Sequence, residues 1–394
     1  MRDREGLERT VARLAYPHHQ PWRLTEAERE VYRQMSRASR LAKLAAMDGR
    51  GREPLHEINV PRLDPDRLMP QLPRHGLRSL SLFSGGGGLD LGFERAGFTH
   101  VASWDVLEDA GATLRRNRPG WLVHSGRDGD VTRVDWRSWR GRADVVHGGP
   151  PCQPFSVAGR QRGPADERDM FPAFVKAVLG IEPRAFIAEN VAAVGGPKFR
   201  PYLTEAVLRP LGAKYVVREL ELRAEAFGVP QQRRRFVLVG FRSREDATRW
   251  VPPPGTHAPH DQDLPLGHLP RCPGTRWALG LPDIGYDALA PTIRSSLTGP
   301  RHTTSILSSV SSRTAWERLS IWPNGVAPER EQARAFVADN GHFRLAVPDV
   351  ALIQGFPADW SFAGAVYMAL GQIGNAVPPP IAYGVAASVA AAIS

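Results

Sequence analysis

Between Leu77 and Phe241 the chain alternates short apolar runs with longer helical stretches, and that alternation restricts its fold more than any other feature. An apolar run, a helical stretch and a second apolar run return the chain in parallel, with helices laid over both faces of one sheet. Strands are expected at Ser79–Phe83, Thr99–Trp104, Ala143–His147, Arg184–Ala188, Lys214–Leu222 and Phe236–Phe241. The fold class is therefore α/β, a Rossmann-like parallel sheet. Its first strand runs into Ser84-Gly85-Gly86-Gly87-Gly88-Leu89-Asp90, a glycine turn that opens a helix and lets backbone come close to a nucleotide-like ligand. The dinucleotide fingerprint requires glycine where Asp90 stands, which disfavours nicotinamide and flavin and suits a smaller ligand such as S-adenosylmethionine. Asp105, at the end of the second strand, suits ribose hydroxyls; its other reading is a surface or helix-capping acid.

Cys152 stands in Gly148-Gly149-Pro150-Pro151-Cys152-Gln153-Pro154-Phe155-Ser156, directly after the third apolar run. Glycines and prolines forbid a helix there and fix a rigid turn, so a thiol is held at a strand's carboxyl end, where open α/β sheets bind ligands. A buried structural cysteine would need no such framing. Taken alone, this thiol suits several covalent mechanisms, thiol hydrolysis among them. Glu189, in Ala188-Glu189-Asn190-Val191, ends the neighbouring strand, and a buried carboxyl with a raised pKa donates a proton at neutral pH. Gln231-Gln232-Arg233-Arg234-Arg235 precedes the last strand, and strand alternation points Arg233 and Arg235 to one side.

The rest of the chain frames this core. Residues 1–76 form a charged extension in which Thr25 and Glu28 make a capping box, with an amphipathic helix to about Met47. His18 and His19 lack a third ligand nearby and read as solvated loop, so no metal is expected. From Arg242 to Phe343 the chain is loop-rich, opening on Pro252-Pro253-Pro254-Gly255, and reads as a smaller separate domain; 344–394 returns to the sheet with a last apolar helix, Ile381–Ile393. No stretch reaches the roughly 18 apolar residues that span a bilayer, which points to the cytoplasm and no membrane partner. Two cysteines fit neither a disulfide framework nor a zinc site. The formal charge of +10 comes almost wholly from arginine, since lysine stands only at 43, 176, 198 and 214. Arginine grips phosphate and guanine edges in a bidentate way, which suggests nucleic acid; a GC-rich genome enriches arginine too.

In this order the segments resemble the DNA (cytosine-5)-methyltransferases of bacterial restriction–modification systems, over nearly all of residues 77–394. The glycine turn is similar to that family's cofactor motif, Pro151-Cys152-Gln153-Pro154-Phe155-Ser156 to its nucleophile loop, and Glu189-Asn190-Val191 to its second catalytic motif. Gln231-Gln232-Arg233-Arg234-Arg235 is similar to its Gln-x-Arg-x-Arg segment, and Gly371-Gln372-Ile373-Gly374-Asn375-Ala376-Val377 to its closing motif. Where the family carries Leu-Thr-Pro-Arg-Glu, this chain reads Leu345-Ala346-Val347-Pro348-Asp349, a departure that bears on how the small domain is braced.

The resemblance implies that Cys152 adds to C6 of a flipped-out cytosine, that Glu189 stabilises charge at N3, that Arg235 contacts the O2 edge, and that Arg233 holds the active-site loop or a phosphate. It implies S-adenosylmethionine contacts at Phe83, Gly85, Gly87, Asp105, Asp130, Val131, Pro151 and Asn375. With Val106 after the ribose acid, adenine stacking rests on Phe83. Site choice on double-stranded DNA falls to about 242–343, with Arg294, Arg301, His302, Thr303, Thr304 and Arg313 as contact candidates. The chain is expected to act as a monomer, with a cognate restriction endonuclease as a partner in the cell. Two rivals share the scaffold: an RNA (tRNA) cytosine-5 methyltransferase, and a catalytically silent DNA-binding relative.

Overall fold

A computed structural model describes residues 57–151, 169–261, 269–295, 304–335 and 341–394, with Glu26, Glu30, Arg33, Gln34, Arg37 and Leu41 from the extension. Those six are helical and exposed; the rest of the helix expected to Met47, and His18 and His19, lie outside the described residues.

The strands are β1 (Arg78–Leu82), β2 (Thr99–Asp105), β3 (Val123–Ser125), β4 (Val145–Gly148), β5 (Ala185–Val191), β6 (Val216–Arg223), β7 (Gln231–Gln232) and β8 (Arg234–Phe241). Seven of them form one sheet in the order β3-β2-β1-β4-β5-β8-β6. The chain order reverses at β1, which makes the end of β1 the switch point where such sheets bind ligands. All six expected strands are present, and β3 is an addition. The expectation of a parallel sheet is corrected at one edge, because β8 lies antiparallel between β5 and β6. In the link from β6 to β8 the only helix is a single 3-10 turn, Ala224–Phe227, too short to cover a crossover, so the chain turns back on itself.

The helices that shape the site are α1 (Gly88–Arg95), α2 (Glu108–Asn117), α3 (Phe171–Ile181), α4 (Arg244–Arg249), α5 (Val310–Arg318), α6 (Val347–Ile353), α7 (Val366–Asn375) and α8 (Pro379–Ile393). One sheet face packs Leu80, Val146, Phe186 and Leu238 against Phe174 and Val178 of α3. The other packs Val145, Ile187 and Val237 against Phe93 of α1 and Ile381 and Val385 of α8. Each fully buried side chain of this size stabilises by about 1.5–3 kcal/mol. Alternation then aims the polar ends of the strands: Glu189 follows Ile187 by two residues and faces the α1–α8 side, as Arg235 does on β8 two residues before Val237. The register pairs Glu189 with Val237 and Val191 with Arg235, so the acid and the base are diagonal neighbours.

Beyond the sheet, β9 (Ala290–Pro291) pairs with β7, and β10 (Ile321–Ala327) pairs with β11 (Phe343–Ala346), both in parallel. Leu279, Ile293, Ile306, Trp316 and Leu345 form a core there that is continuous with Ile353 of α6 and Leu370 of α7. Asp349, the acid in the departing block, is fully buried; it accepts from Ala346 N (2.9 Å), Asn59 Nδ2 (3.0 Å) and Arg330 Nε (2.8 Å), tying the segment entering the fold to α6 and the β10–β11 unit. Contrary to the apolar count made on the sequence, Val366–Ile393 is long and apolar enough to cross a bilayer. It is two helices broken at Ala376–Pro378, and 72% of its most apolar window is buried inside the protein.

Candidate active site

β4 ends at Gly148 beside Ala188 of β5, so the loop Gly149-Pro150-Pro151 lies over Glu189. A Cβ on Gly149 would stand 3.0 Å from Glu189 Oε2. Asn190 secures the loop, its Nδ2 donating to Pro150 O at 3.0 Å while its Oδ1 accepts from Val191 N at 2.9 Å. Cys152 follows Pro151 and lies outside the described residues. The chain's other cysteine, Cys272, is fully buried, and burial pushes its thiol far above the ordinary range, so it is a core residue.

Glu189 is 6% exposed, and its Oε1 lies 2.6 Å from Arg235 Nε. Burial raises its pKa against the opposing pull of Arg235 and Arg233. The carboxyl thus keeps its proton to higher pH than usual while remaining within reach of a fixed cation. Arg233 is 1% exposed and donates to Gly374 O (2.8 Å), Ala376 O (2.8 Å) and Ile293 O (3.4 Å). Its guanidinium joins the closing motif to the β9 segment. Gln231 reinforces the joint, donating to Gln354 Oε1 at 2.8 Å, and Gln354 Nε2 in turn donates to Ala376 O at 2.7 Å. Gly374 allows the close approach: a Cβ there would stand 2.6 Å from Ser295 N and 2.7 Å from the backbone of Arg294.

Across the switch point, the glycine turn places Phe83 (φ 55°), Gly85 (φ 53°) and Gly87 (φ 83°) in the left-handed region, which glycine adopts without the penalty a side chain incurs. Asp105 joins strand to turn, accepting from Gly85 N and Leu107 N, both at 2.8 Å. Burial raises this carboxyl and the two amides lower it. A Cβ on Gly85 would meet no described atom within 4 Å, so backbone faces open space beside an acid that still has lone pairs to offer. This donor and acceptor set fits the ribose and backbone polar groups of S-adenosylmethionine. Phe83 is partly buried against the α3 face.

Other sequence candidates have visible structural work. Asp130 caps a short turn, accepting from Thr132 N (3.0 Å) and Oγ1 (2.7 Å), and Val131 is a core side chain. Their segment still reaches the site, since a Cβ on Gly129 would stand 2.1 Å from Asp105 O. Asn375 is exposed at the end of α7. Arg294 lies against Gly374, and Thr304 O accepts from Val326 N at 3.0 Å. Arg313 is ion-paired with Glu317 at 2.6 Å along α5. Arg301, His302 and Thr303 lie outside the described residues.

A family model described as C-5 cytosine-specific DNA methylase matches residues 77–391. The chain belongs to the C-5 cytosine-specific DNA methylase family. It is 33% identical over 317 residues to the type II methyltransferase M.NgoMIV of Neisseria gonorrhoeae, covering 80% of this chain and 97% of that protein. It is likewise 33% identical over 325 residues to M.NaeI of Lentzea aerocolonigenes, covering 81% and 76%. Among solved structures, a Spodoptera frugiperda DNMT2 variant matches with a TM-score of 0.52 at 15% identity over 80% of this chain and 99% of that one. An Entamoeba histolytica methyltransferase matches with a TM-score of 0.52 at 14% identity over 80% and 98%. At such identities the likeness is one of fold.

Proposed function

We propose that this C-5 cytosine methylase family member transfers the methyl group of S-adenosylmethionine to C5 of a cytosine in double-stranded DNA, as the methyltransferase of a restriction–modification pair in the bacterial cytoplasm. The observation that carries the reading is the buried Glu189–Arg235 pair under the loop that leads into Cys152. In this reading the Cys152 thiolate adds to C6 of the base, and C5 gains the electron density to take the methyl group. Loss of the C5 proton then expels the thiolate. Glu189 meets the charge at N3 with its retained proton, and Arg235 meets the O2 edge. Bound S-adenosylmethionine supplies an electrophilic methyl on a sulfonium; Asp105 and the Gly85–Gly88 backbone hold it, with Asn375 and Pro151 at its margin.

A base inside a duplex cannot reach Glu189, so the cytosine must leave the stack, at a cost of a few kcal/mol that phosphate contacts offset. Arginine in the 242–343 region is proposed to make those contacts and to choose the site, with Arg294 nearest the closing motif. The family and the type II relatives favour DNA over an RNA substrate. The test is expression in a host free of cytosine methylation, followed by sequencing for 5-methylcytosine. A modified, sequence-defined set of sites is expected; unmodified DNA from a host making folded protein would sink the reading.

A further inference from the structure

We infer that Trp360 is a positioning residue for the cofactor: its indole sets the orientation of the Gly86–Gly87 peptide in the turn that receives S-adenosylmethionine. The inference rests on the methyltransferase reading above.

Trp360 is 4% exposed, and its Nε1–H donates to Gly86 O at 3.0 Å. Its ring lies under the turn, since a Cβ on Gly87 would come within 2.7 Å of Trp360 Cζ2. The ring is itself fixed. Arg118 covers it at 5.2 Å, held by Glu94 of α1 at 2.7 Å, and Phe356 stacks on it at 6.2 Å. Phe362 packs edge-on against Phe356, with ring centroids 5.0 Å apart, and lies 2.9 Å from where a Cβ on Gly86 would stand.

A hydrogen bond at this carbonyl has unusual leverage. A peptide between two glycines has no Cβ on either side to resist rotation, so its orientation is set by its hydrogen bonds rather than by side-chain sterics. Asp105 fixes the preceding amide, Gly85 N, and Gly87 N donates back to Ser84 O at 2.9 Å. Trp360 fixes the carbonyl between them. With the indole N–H absent, that peptide is held at its N–H end alone, and affinity falls by the share of the pre-organisation that Trp360 had supplied.

The test uses full-length protein carrying Trp360→Phe or Trp360→Tyr, which keep an aromatic ring in the slot and remove the indole N–H. Calorimetry with S-adenosylmethionine, binding of a duplex that contains the methylated site, and steady-state kinetics are compared with wild type. Kd and KM for S-adenosylmethionine are expected to rise about fivefold, equivalent to about 1 kcal/mol for one hydrogen bond, with kcat at saturating cofactor within about twofold and duplex affinity unchanged. A lower melting temperature with unchanged cofactor affinity would assign Trp360 to general packing and overturn the inference. So would an equal loss of cofactor and duplex affinity, or failure of both variants to fold. Wild-type protein that does not bind S-adenosylmethionine would instead overturn the methyltransferase reading.

Discussion

Arg233 offers the sharpest test of how the site is held together. The sequence motif places it with the catalytic residues, whereas its guanidinium donates to three backbone carbonyls and is 1% exposed. Replacing it with Met keeps most of the volume and removes the donors. The bond to Ile293 O, at 3.4 Å, is long and counts for little. Ala376 O retains Gln354 Nε2 as a second donor at 2.7 Å, so its loss stays near the lower end of the range for a charged hydrogen bond, about 1.5 kcal/mol. Gly374 O loses the donor that Arg233 supplied, which costs about 1–3 kcal/mol. Together these come to about 3 kcal/mol, or roughly a hundredfold in the population of a locally opened closing motif. Hydrogen exchange followed by mass spectrometry should show the peptide over Gly371–Val377 exchanging about a hundredfold faster in Arg233→Met, with S-adenosylmethionine affinity reduced alongside. Unchanged exchange together with abolished methylation would refute the argument and return Arg233 to contact with the substrate.

Further outcomes follow from the same geometry. Cys152→Ala should abolish methylation while leaving S-adenosylmethionine affinity within about twofold, measured by calorimetry; lost cofactor binding would mean the residue supports the pocket instead. Glu189→Gln should slow methylation by about 10²–10⁴-fold, the usual range for a general acid. Because burial raises the Glu189 pKa, wild-type single-turnover rates should fall as pH rises through that raised value, and the variant, which cannot ionise, should lack this limb. Asp90 is raised to about 7, by burial first, so across about pH 4 to 7 the folded protein keeps a proton that the unfolded chain has released and loses stability as pH rises. His147, lowered well below its ordinary value by burial, slopes the opposite way and is common to both proteins; His100, lowered to about 4 by burial, does so too, and because its Nδ1 lies 3.9 Å from Asp90 Oδ1 the comparison includes that contact. The stability difference between Asp90→Asn and wild type should therefore grow across this window, towards on the order of 4 kcal/mol in favour of the variant, by chemical denaturation at stepped pH. A difference independent of pH would mean Asp90 stays ionised.

What was legible in the sequence was local. Ser79–Phe83 and Phe236–Phe241 announced themselves as strands because apolar content and flanking turn residues coincide, and Glu189 was found because it ends such a run. β3 went unnoticed, since Val123-His124-Ser125 is too short and too polar to stand out from a loop. The antiparallel insertion of β8 was hidden for another reason: each strand's composition is the same in either direction, and only the shortness of the link, which holds one 3-10 turn, betrays the reversal. Alternation groups Arg233 with Arg235 on one side of the chain. It could not show that Arg233 is enclosed, because burial depends on Gly374, Ala376 and Ile293 arriving from far along the chain. Trp360 escaped for the same reason, as its partner Gly86 is 274 residues away.

That separation has a consequence for how the protein is made. The turn after β1 is among the earliest parts of the core to be synthesised, yet its carbonyl waits for Trp360, and the helix it opens waits for α8 to cover it. A ribosome can finish the sheet and the whole 242–343 region before Trp360 and α8 reach that turn. Chains that end before Pro379–Ile393 would leave Phe93 of α1 without Ile381 and Val385 over it, so the helix that the turn opens gains its cover only when the last helix is made.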